Sequence, residues 1–248
     1  MKLSVNTILI TGATSGIGLA FAEKLLEMGN TVIICGRRED RLRKIKDQYP
    51  NMITRICDVS DAKQRVALYE WAMESYPSLN VLINNAGIQL VSDLTKPVIL
   101  ERVNAEIGIN LVAPIHLSSL FAGQFSKLQN AAIINISSGL AFTPIAFLPV
   151  YCATKAAIHS ITLSLRYQLR NTSVKVFEVI PPSVDTELGY DRRTDKTQSH
   201  GGIHVNEFLA EAIECIEQDE FECAVGQSKG LWQKREEIFE AMNERISH

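Results

Sequence analysis

Charge is nearly missing from the middle of this 248-residue chain: from Ile107 through Thr154 the only formally charged side chain is Lys127. Such a stretch cannot be an ordinary solvated surface, so core, ligand or another subunit must cover part of it. Its first part, Ile107 to Ser126, is interrupted by Asn110, Pro114, His116, Ser118, Ser119 and Gln124, which favours a buried or interface helix over a membrane span. Paired thiols are missing as well. Cys35, Cys57, Cys152, Cys215 and Cys223 are scattered without a Cys-x-x-Cys, which argues against zinc and against a disulfide framework and suits a reducing compartment. A formal net charge of -3 gives no field that would draw nucleic acid or an anionic membrane. The N-terminal residues lack the long apolar region of a signal peptide, and no repeat, low-complexity tract or linker divides the chain. These absences lead to the expectation of one soluble, cytoplasmic domain over residues 1–248.

What is present is an alternation of short apolar runs and amphipathic stretches. Strands are expected over 5–11, 31–35, 52–56, 81–83, 131–137, 174–180 and 221–225. Helices are expected over 13–28, 38–48, 61–76, 97–128, 150–170 and 204–218, with Asp61 or Ser60 capping the third, and an amphipathic terminal helix over 231–248. Strands alternating with helices at this spacing imply right-handed crossovers and a parallel α/β sheet. Residues 181–204, polar and containing glycine, read as a long loop over a substrate site.

The first strand runs straight into Thr11-Gly12-Ala13-Thr14-Ser15-Gly16-Ile17-Gly18. Glycines let a backbone turn sharply and approach a pyrophosphate, and the N-terminus of the following helix offers N–H groups and a positive dipole. The second strand ends Cys35-Gly36-Arg37-Arg38. An NAD site wants a carboxylate here for the ribose 2′-hydroxyl. Gly36 has none, whereas Arg37 and Arg38 suit a 2′-phosphate, so NADP is expected over NAD. Arg41, Arg43, Lys44 and Lys46 follow, and some of this basic run is expected to be a solvated helix face. Asp58 and Val59 follow the third strand, where Asp58 either meets an adenine amino group or helps cap the next helix. Asn84-Asn85-Ala86-Gly87 ends the fourth strand and can tie neighbouring strands together while lining the cofactor channel.

On a helix, Tyr151 and Lys155 share a face one turn apart, with Ser138 thirteen residues earlier. A free phenol titrates near pH 10, and lowering that by about three units takes roughly 4 kcal/mol of differential stabilisation, which a fixed ammonium favours. Thr-Gly-x-x-x-Gly-x-Gly at 11–18, Asn-Asn-Ala-Gly at 84–87, Ser138 and Tyr151-x-x-x-Lys155 together resemble the short-chain dehydrogenase/reductase family over nearly the whole chain. The resemblance implies a Rossmann-type doubly wound sheet of about seven parallel strands in three αβα layers. It implies Tyr151 as general acid in carbonyl reduction, Lys155 on the nicotinamide ribose, Ser138 on the substrate oxygen, and Asn110 holding a water that links Lys155 to solvent. It also places the cofactor against Gly12, Thr14, Ser15, Gly16, Ile17 and Gly18, against Asn85, Ala86 and Gly87, and against Pro181, Val184 and Thr186.

The sequence departs from the family where Pro181-Pro182 stands in place of Pro-Gly, and Pro182 supplies neither a glycine's freedom nor an N–H. Ser137 to Phe142 and the tail resemble a bacterial subgroup associated with the D-alanylation system of teichoic acids. Ile88, Gln89, Leu90, Leu140, Phe142, Ile145, Phe147, Leu188 and Tyr190 would wall the pocket, a mostly apolar lining that suits a small neutral or apolar carbonyl or alcohol. The charge-poor helices flanking Tyr151 suggest a homo-oligomer, dimer or tetramer. His200-Gly201-Gly202-Ile203-His204 lacks the spacing and the acidic or thiol partners of a metal site, so no metal is expected. Two alternatives stay open: an NADPH-binding regulator with little turnover, and a family member catalysing epimerisation or dehydration.

Overall fold

The computed structural model describes residues 1–189 and 201–246. Its elements are β1 (Thr7–Thr11), α1 (Gly16–Glu27), β2 (Thr31–Gly36), α2 (Glu39–Gln48), β3 (Ile53–Ile56), α3 (Ala62–Ser75), β4 (Leu79–Asn84), α4 (Leu100–Ile107), α5 (Ala113–Phe125), β5 (Ala131–Ile136), α6 (Pro149–Gln168), β6 (Val174–Ile180), α7 (Val205–Glu217), β7 (Glu222–Ala224), α8 (Ser228–Lys234) and α9 (Phe239–Ile246). The seven strands form one parallel sheet in the order β3-β2-β1-β4-β5-β6-β7. This is the Rossmann-type αβα arrangement expected from the sequence.

Period-two alternation divides the core between the two faces of the sheet. Ile8, Ile10, Val32, Ile34, Val81 and Ile83 pack with Phe21 and Leu25 of α1 and Phe208 and Leu209 of α7. Leu9, Ile33, Leu82 and Ile133 point the other way, against Leu68 of α3 and Leu117, Phe121 and Phe125 of α5. Each of these side chains is essentially removed from water, worth roughly 1.5–3 kcal/mol apiece.

The expected helix over 97–128 starts at Leu100 and is interrupted by a π turn at Gly108–Val112. The wider turn carries Asn110, which is buried and bonded to Ile88 on both backbone groups. The run Leu100–Phe125 is long and apolar enough to cross a membrane by length and composition, but Ile109, Ala113, Leu117, Phe121 and Phe125 pack into the sheet core. The tail is not one helix over 231–248: α8 ends where Arg235 enters positive φ at 50°, a short 3₁₀ turn follows, and α9 then begins. A non-glycine residue there cannot continue an α-helix. Asp61, not Ser60, caps α3, accepting from the N–H groups of Lys63 and Gln64.

Sheet order grows leftward from β1 and rightward from β4, so a crevice opens between the C-terminal ends of these two strands. Buried amides tie the strands beneath it. Asn84 donates to Asn135 on β5 at 2.9 Å and to Ser118 on α5 at 3.1 Å, and Asn135 donates to Thr162 on α6 at 2.9 Å. Thr11 Oγ1 accepts from both Asn85 N and Ala86 N at 3.1 Å. Thr11→Val keeps the shape but strands these two N–H groups. It is expected to lower unfolding free energy by about 2–4 kcal/mol in a denaturant titration, with Thr11→Ser close to wild type.

Candidate active site

The glycine loop is built by left-handed backbone that L side chains rarely adopt. Gly12 has φ +67° and Gly16 has φ +58°. Space enforces glycine too. A Cβ on Gly12 would lie 2.6 Å from Ala86 Cα, and one on Gly18 would lie 2.3 Å from Asn85 Nδ2 and 2.9 Å from Gly12 O. Asn85 Nδ2 in turn donates to the carbonyls of Thr11 and Gly12. Thus the 84–87 turn is clamped onto the loop, where α1 begins with N–H groups that have no partners inside their own helix.

Arg38 reaches this loop through space. Its Nε and Nη2 donate to Thr14 Oγ1 at 3.0 and 2.6 Å, and Nη2 donates to Ser15 Oγ at 2.8 Å. Its Nη1 donates to Glu187 Oε2 at 3.3 Å, and Arg41 Nη1 donates to the same oxygen at 2.5 Å. Partial burial pushes the Glu187 carboxyl up, but the bonds and charges of Arg41 and Arg38 outweigh that and hold it below the usual range. Arg37 is exposed and makes no hydrogen bond or ion pair among the described residues. Asp58 Oδ1 accepts from Ser60 N and Ser60 Oγ, so it shapes the turn into α3 beside the buried Val59.

Across the crevice, α6 presents Tyr151 and Lys155, both 5% exposed. Lys155 Nζ donates to Ile136 O at 2.8 Å and lies 5.7 Å from the Tyr151 ring centroid. Burial lowers its pKa from 10.5 to about 8, and the Glu178 carboxylate partly offsets this. Glu178, fully buried on β6, bonds to His159 Nδ1 at 2.6 Å, one turn beyond Lys155. Ser138 leaves β5 in extended conformation, and its Oγ accepts from Leu140 N at 3.1 Å. Asn110 Oδ1 accepts from Ile88 N, and its Nδ2 donates to Ile88 O and Thr154 Oγ1. A Cβ on Gly87 would stand 3.4 Å from Asn110 Oδ1 and 3.8 Å from Lys155 Nζ, so the bare glycine leaves both polar groups on one shared space.

The segment 88–92 forms one wall, held by Asn110, by Glu106 Oε1 accepting from Leu90 N at 3.1 Å, and by Ser92 N donating to Phe147 O. Leu140, Ile145 and Phe147 cluster with Leu148, Tyr151 and Cys152. Phe142 does not join them. It is buried with Ile180, Ala224 and Trp232, beneath Arg235. Met242 of α9 takes a place in the tyrosine cluster that the sequence reading did not assign. Cys152 is packed there as a small buried residue, its thiol pushed up by burial. Past β6, Gly139 N donates to Pro181 O, and a bridge between Val184 and Ile203 closes the base of the 181–204 segment, with Thr186 beyond it against Gly16. Pro182 is accommodated because the backbone bonds of that base use Ser183 O, Asp185 N and both groups of Ile203, not a donor at 182. Leu188 is exposed, Tyr190 and His200 lie outside the described residues, and His204 caps α7 by accepting from Asn206 N.

A glycine loop at the sheet's switch point, facing a Tyr-Lys pair on α6 and a serine at the end of β5, is the frame of one family. The chain belongs to the short chain dehydrogenase family, whose model matches residues 6–197, and is thus an oxidoreductase. It is 48% identical, over 98% of each chain, to the uncharacterized oxidoreductase DltE of Bacillus subtilis (strain 168). A short-chain dehydrogenase from Sphingobium yanoikuyae, solved in complex with NADPH, is similar at 26% identity and TM-score 0.79, covering 89% of this chain and 87% of that one. A short-chain dehydrogenase/reductase from Burkholderia phymatum in complex with NAD shares the fold at 23% identity and TM-score 0.86, covering 98% and 97%.

Holding a buried lysine at about 8 instead of 10.5 costs about 3 kcal/mol of folding free energy at neutral pH. Below pH 8 both folded and unfolded chains carry the proton and the cost is fully present. It fades as pH rises from 8 towards 10.5, where the unfolded chain alone still holds that proton. Lys155→Met, after losing the bond to Ile136 O, is expected to stabilise the protein by about 1–2 kcal/mol at pH 7. Thermal denaturation across pH 7 to 10 should show that gain shrinking above pH 8.

Proposed function

We propose that this chain is an NADP(H)-dependent oxidoreductase acting between a carbonyl and a secondary alcohol, with residues 1–248 as one dinucleotide-binding domain. The observation that carries the reading is the pairing of Tyr151 with a buried Lys155 5.7 Å from its ring, across from a loop whose glycines have no room for side chains. Glycines at 12, 16 and 18, where a Cβ would crowd Ala86, Thr186 and Asn85, let the loop pack tightly at the N-terminus of α1, which supports a dinucleotide pyrophosphate there.

In this reading Gly12, Thr14, Ser15, Gly16, Ile17 and Gly18 would hold the pyrophosphate, and Arg37 and Arg38 the 2′-phosphate. Asp58 and Val59 would flank the adenine. Asn85, Ala86, Gly87, Pro181, Val184 and Thr186 would hold the nicotinamide half. The nicotinamide supplies or takes the hydride. Ser138 would hydrogen-bond the substrate oxygen, and Tyr151 would donate the phenolic proton to that oxygen during reduction. The Lys155 ammonium favours the phenolate left behind. Asn110 and Lys155 share the space beside Gly87, which is where a water could return the proton.

Three further readings accompany this one. The cluster around Ile145, Phe147 and Met242 is apolar, which supports a small neutral or apolar substrate. The five cysteines are unpaired thiols, in keeping with the cytoplasm. An apolar groove of about 330 Å³ between α4 and α6, lined by Leu94, Val103, Ile107, Leu111, Val150 and Ala153, together with exposed Val112, Ile115 and Leu163, supports a homo-oligomer through these helices. Ile115→Glu with Leu163→Glu is expected to reduce the mass found by light scattering to that of a monomer.

Tyr151→Phe is expected to lower turnover across a panel of neutral carbonyl compounds by about 10²–10⁴-fold, with the NADPH dissociation constant within about threefold of wild type. Undiminished turnover in the variant would remove Tyr151 from the mechanism. Calorimetry with NADPH and NADH tests the cofactor, and tighter NADH binding would reverse that choice.

A further inference from the structure

Two arginines near the expected 2′-phosphate position are already engaged by a carboxylate of the chain itself. Glu187 Oε2 takes a donor from each of Arg38 and Arg41. The remaining bonds of Arg38 go to Thr14 and Ser15 of the glycine loop, so its outer donor is the one Glu187 occupies. Glu187 adjoins Thr186, whose Cβ would be 3.3 Å from a Cβ on Gly16. One short arm of the 181–204 segment therefore lies over both the glycine loop and the start of α2. Its near end is fixed by the bridge from Val184 to Ile203.

We propose that Glu187 is a specificity-determining counter-anion: it competes with a ligand 2′-phosphate for Arg38 and Arg41, so that binding of that phosphate displaces it and frees the arm 186–188. The proposal rests on the NADP reading above. A phosphate monoester brings up to two charges and three acceptor oxygens, against one charge and two oxygens for the carboxylate. It can also recruit Arg37, which is exposed and unengaged among the described residues. A ligand with a 2′-hydroxyl has no charge with which to displace Glu187 and leaves the arm in place. Glu187 thereby lowers the apparent affinity for the phosphorylated ligand by the fraction of molecules in which the arginines are occupied. By linkage, whatever lifts the arm strengthens 2′-phosphate binding, and the reverse holds equally.

The test uses the whole chain and two fragments that differ only in the 2′-phosphate, 2′,5′-ADP and 5′-AMP. Calorimetric titration of Glu187→Gln is expected to show 2′,5′-ADP binding about three- to tenfold tighter than to wild type, the range for two partly exposed ion pairs, with 5′-AMP within twofold. Hydrogen exchange provides a readout in the unaltered protein: amides of residues 186–189 should exchange faster when 2′,5′-ADP is added and not when 5′-AMP is added. Unchanged or weaker 2′,5′-ADP binding in Glu187→Gln, or unchanged or slower exchange in 186–189 on adding it, overturns the proposal. If wild type prefers 2′,5′-ADP over 5′-AMP and Glu187→Gln leaves that ratio unaltered, the role of Glu187 alone fails. If neither protein prefers 2′,5′-ADP, the NADP reading fails with it.

Discussion

Gly12 and Ala86 touch where the sheet changes direction, and nothing larger than a hydrogen fits between them. That backbone contact sets the rest of the site. It places the glycine loop against the turn that ends β4, and Thr11 and Asn85 lock the pair with four hydrogen bonds. The same turn then delivers Gly87 beside Asn110 and Lys155. Lys155 is in turn tied to the end of β5 through Ile136 O. From the glycine loop to Lys155, the site is a series of short contacts between the C-terminal ends of β1, β4 and β5. A parallel sheet brings those ends together without long excursions of the chain.

Features that depend on local spacing were legible in the sequence. The alternation of strands and helices gave the layered sheet, glycines at 12, 16 and 18 gave the loop, and helical spacing put Tyr151 and Lys155 side by side on α6. Features that depend on distant partners were not. Nothing near Arg38 in the chain points to Glu187, because the two are brought together only when the segment after β6 folds back over α2. Phe142 sits two residues from Leu140 yet packs in a different cluster, since the 3₁₀ turn at Gly139–Ala141 rotates it toward Trp232. Met242 joins the tyrosine cluster because Arg235 breaks the tail and turns α9 back, a conformation that no propensity rule assigns to arginine. Asn110 was marked by motif, whereas the π turn that turns it inward was not, because one extra residue in a helical turn leaves no clear trace in hydrophobic periodicity.

Burying Lys155 works against folding, and the fold offsets part of that nearby. Glu178, buried on β6 and bonded to His159, partly offsets the cost to Lys155. The sheet contributes many fully buried aliphatic and aromatic side chains on each face, enough to offset a few kcal/mol lost at one lysine. The amides of Asn84 and Asn135 extend the same logic, linking sheet to helices where apolar packing alone would leave the ends of β4 and β5 free to shift.

The strand order also governs how the chain is completed as it is synthesised. β1 is made first but lies between β2 and β4, so its second edge stays open until residues 79–84 have been added. Until then the hydroxyl of Thr11 has no Asn85 or Ala86 to bond, and the glycine loop has no turn to rest on. A nascent chain shorter than about Gly87 therefore carries an apolar strand edge open to unwanted pairing and a glycine loop without its supporting turn.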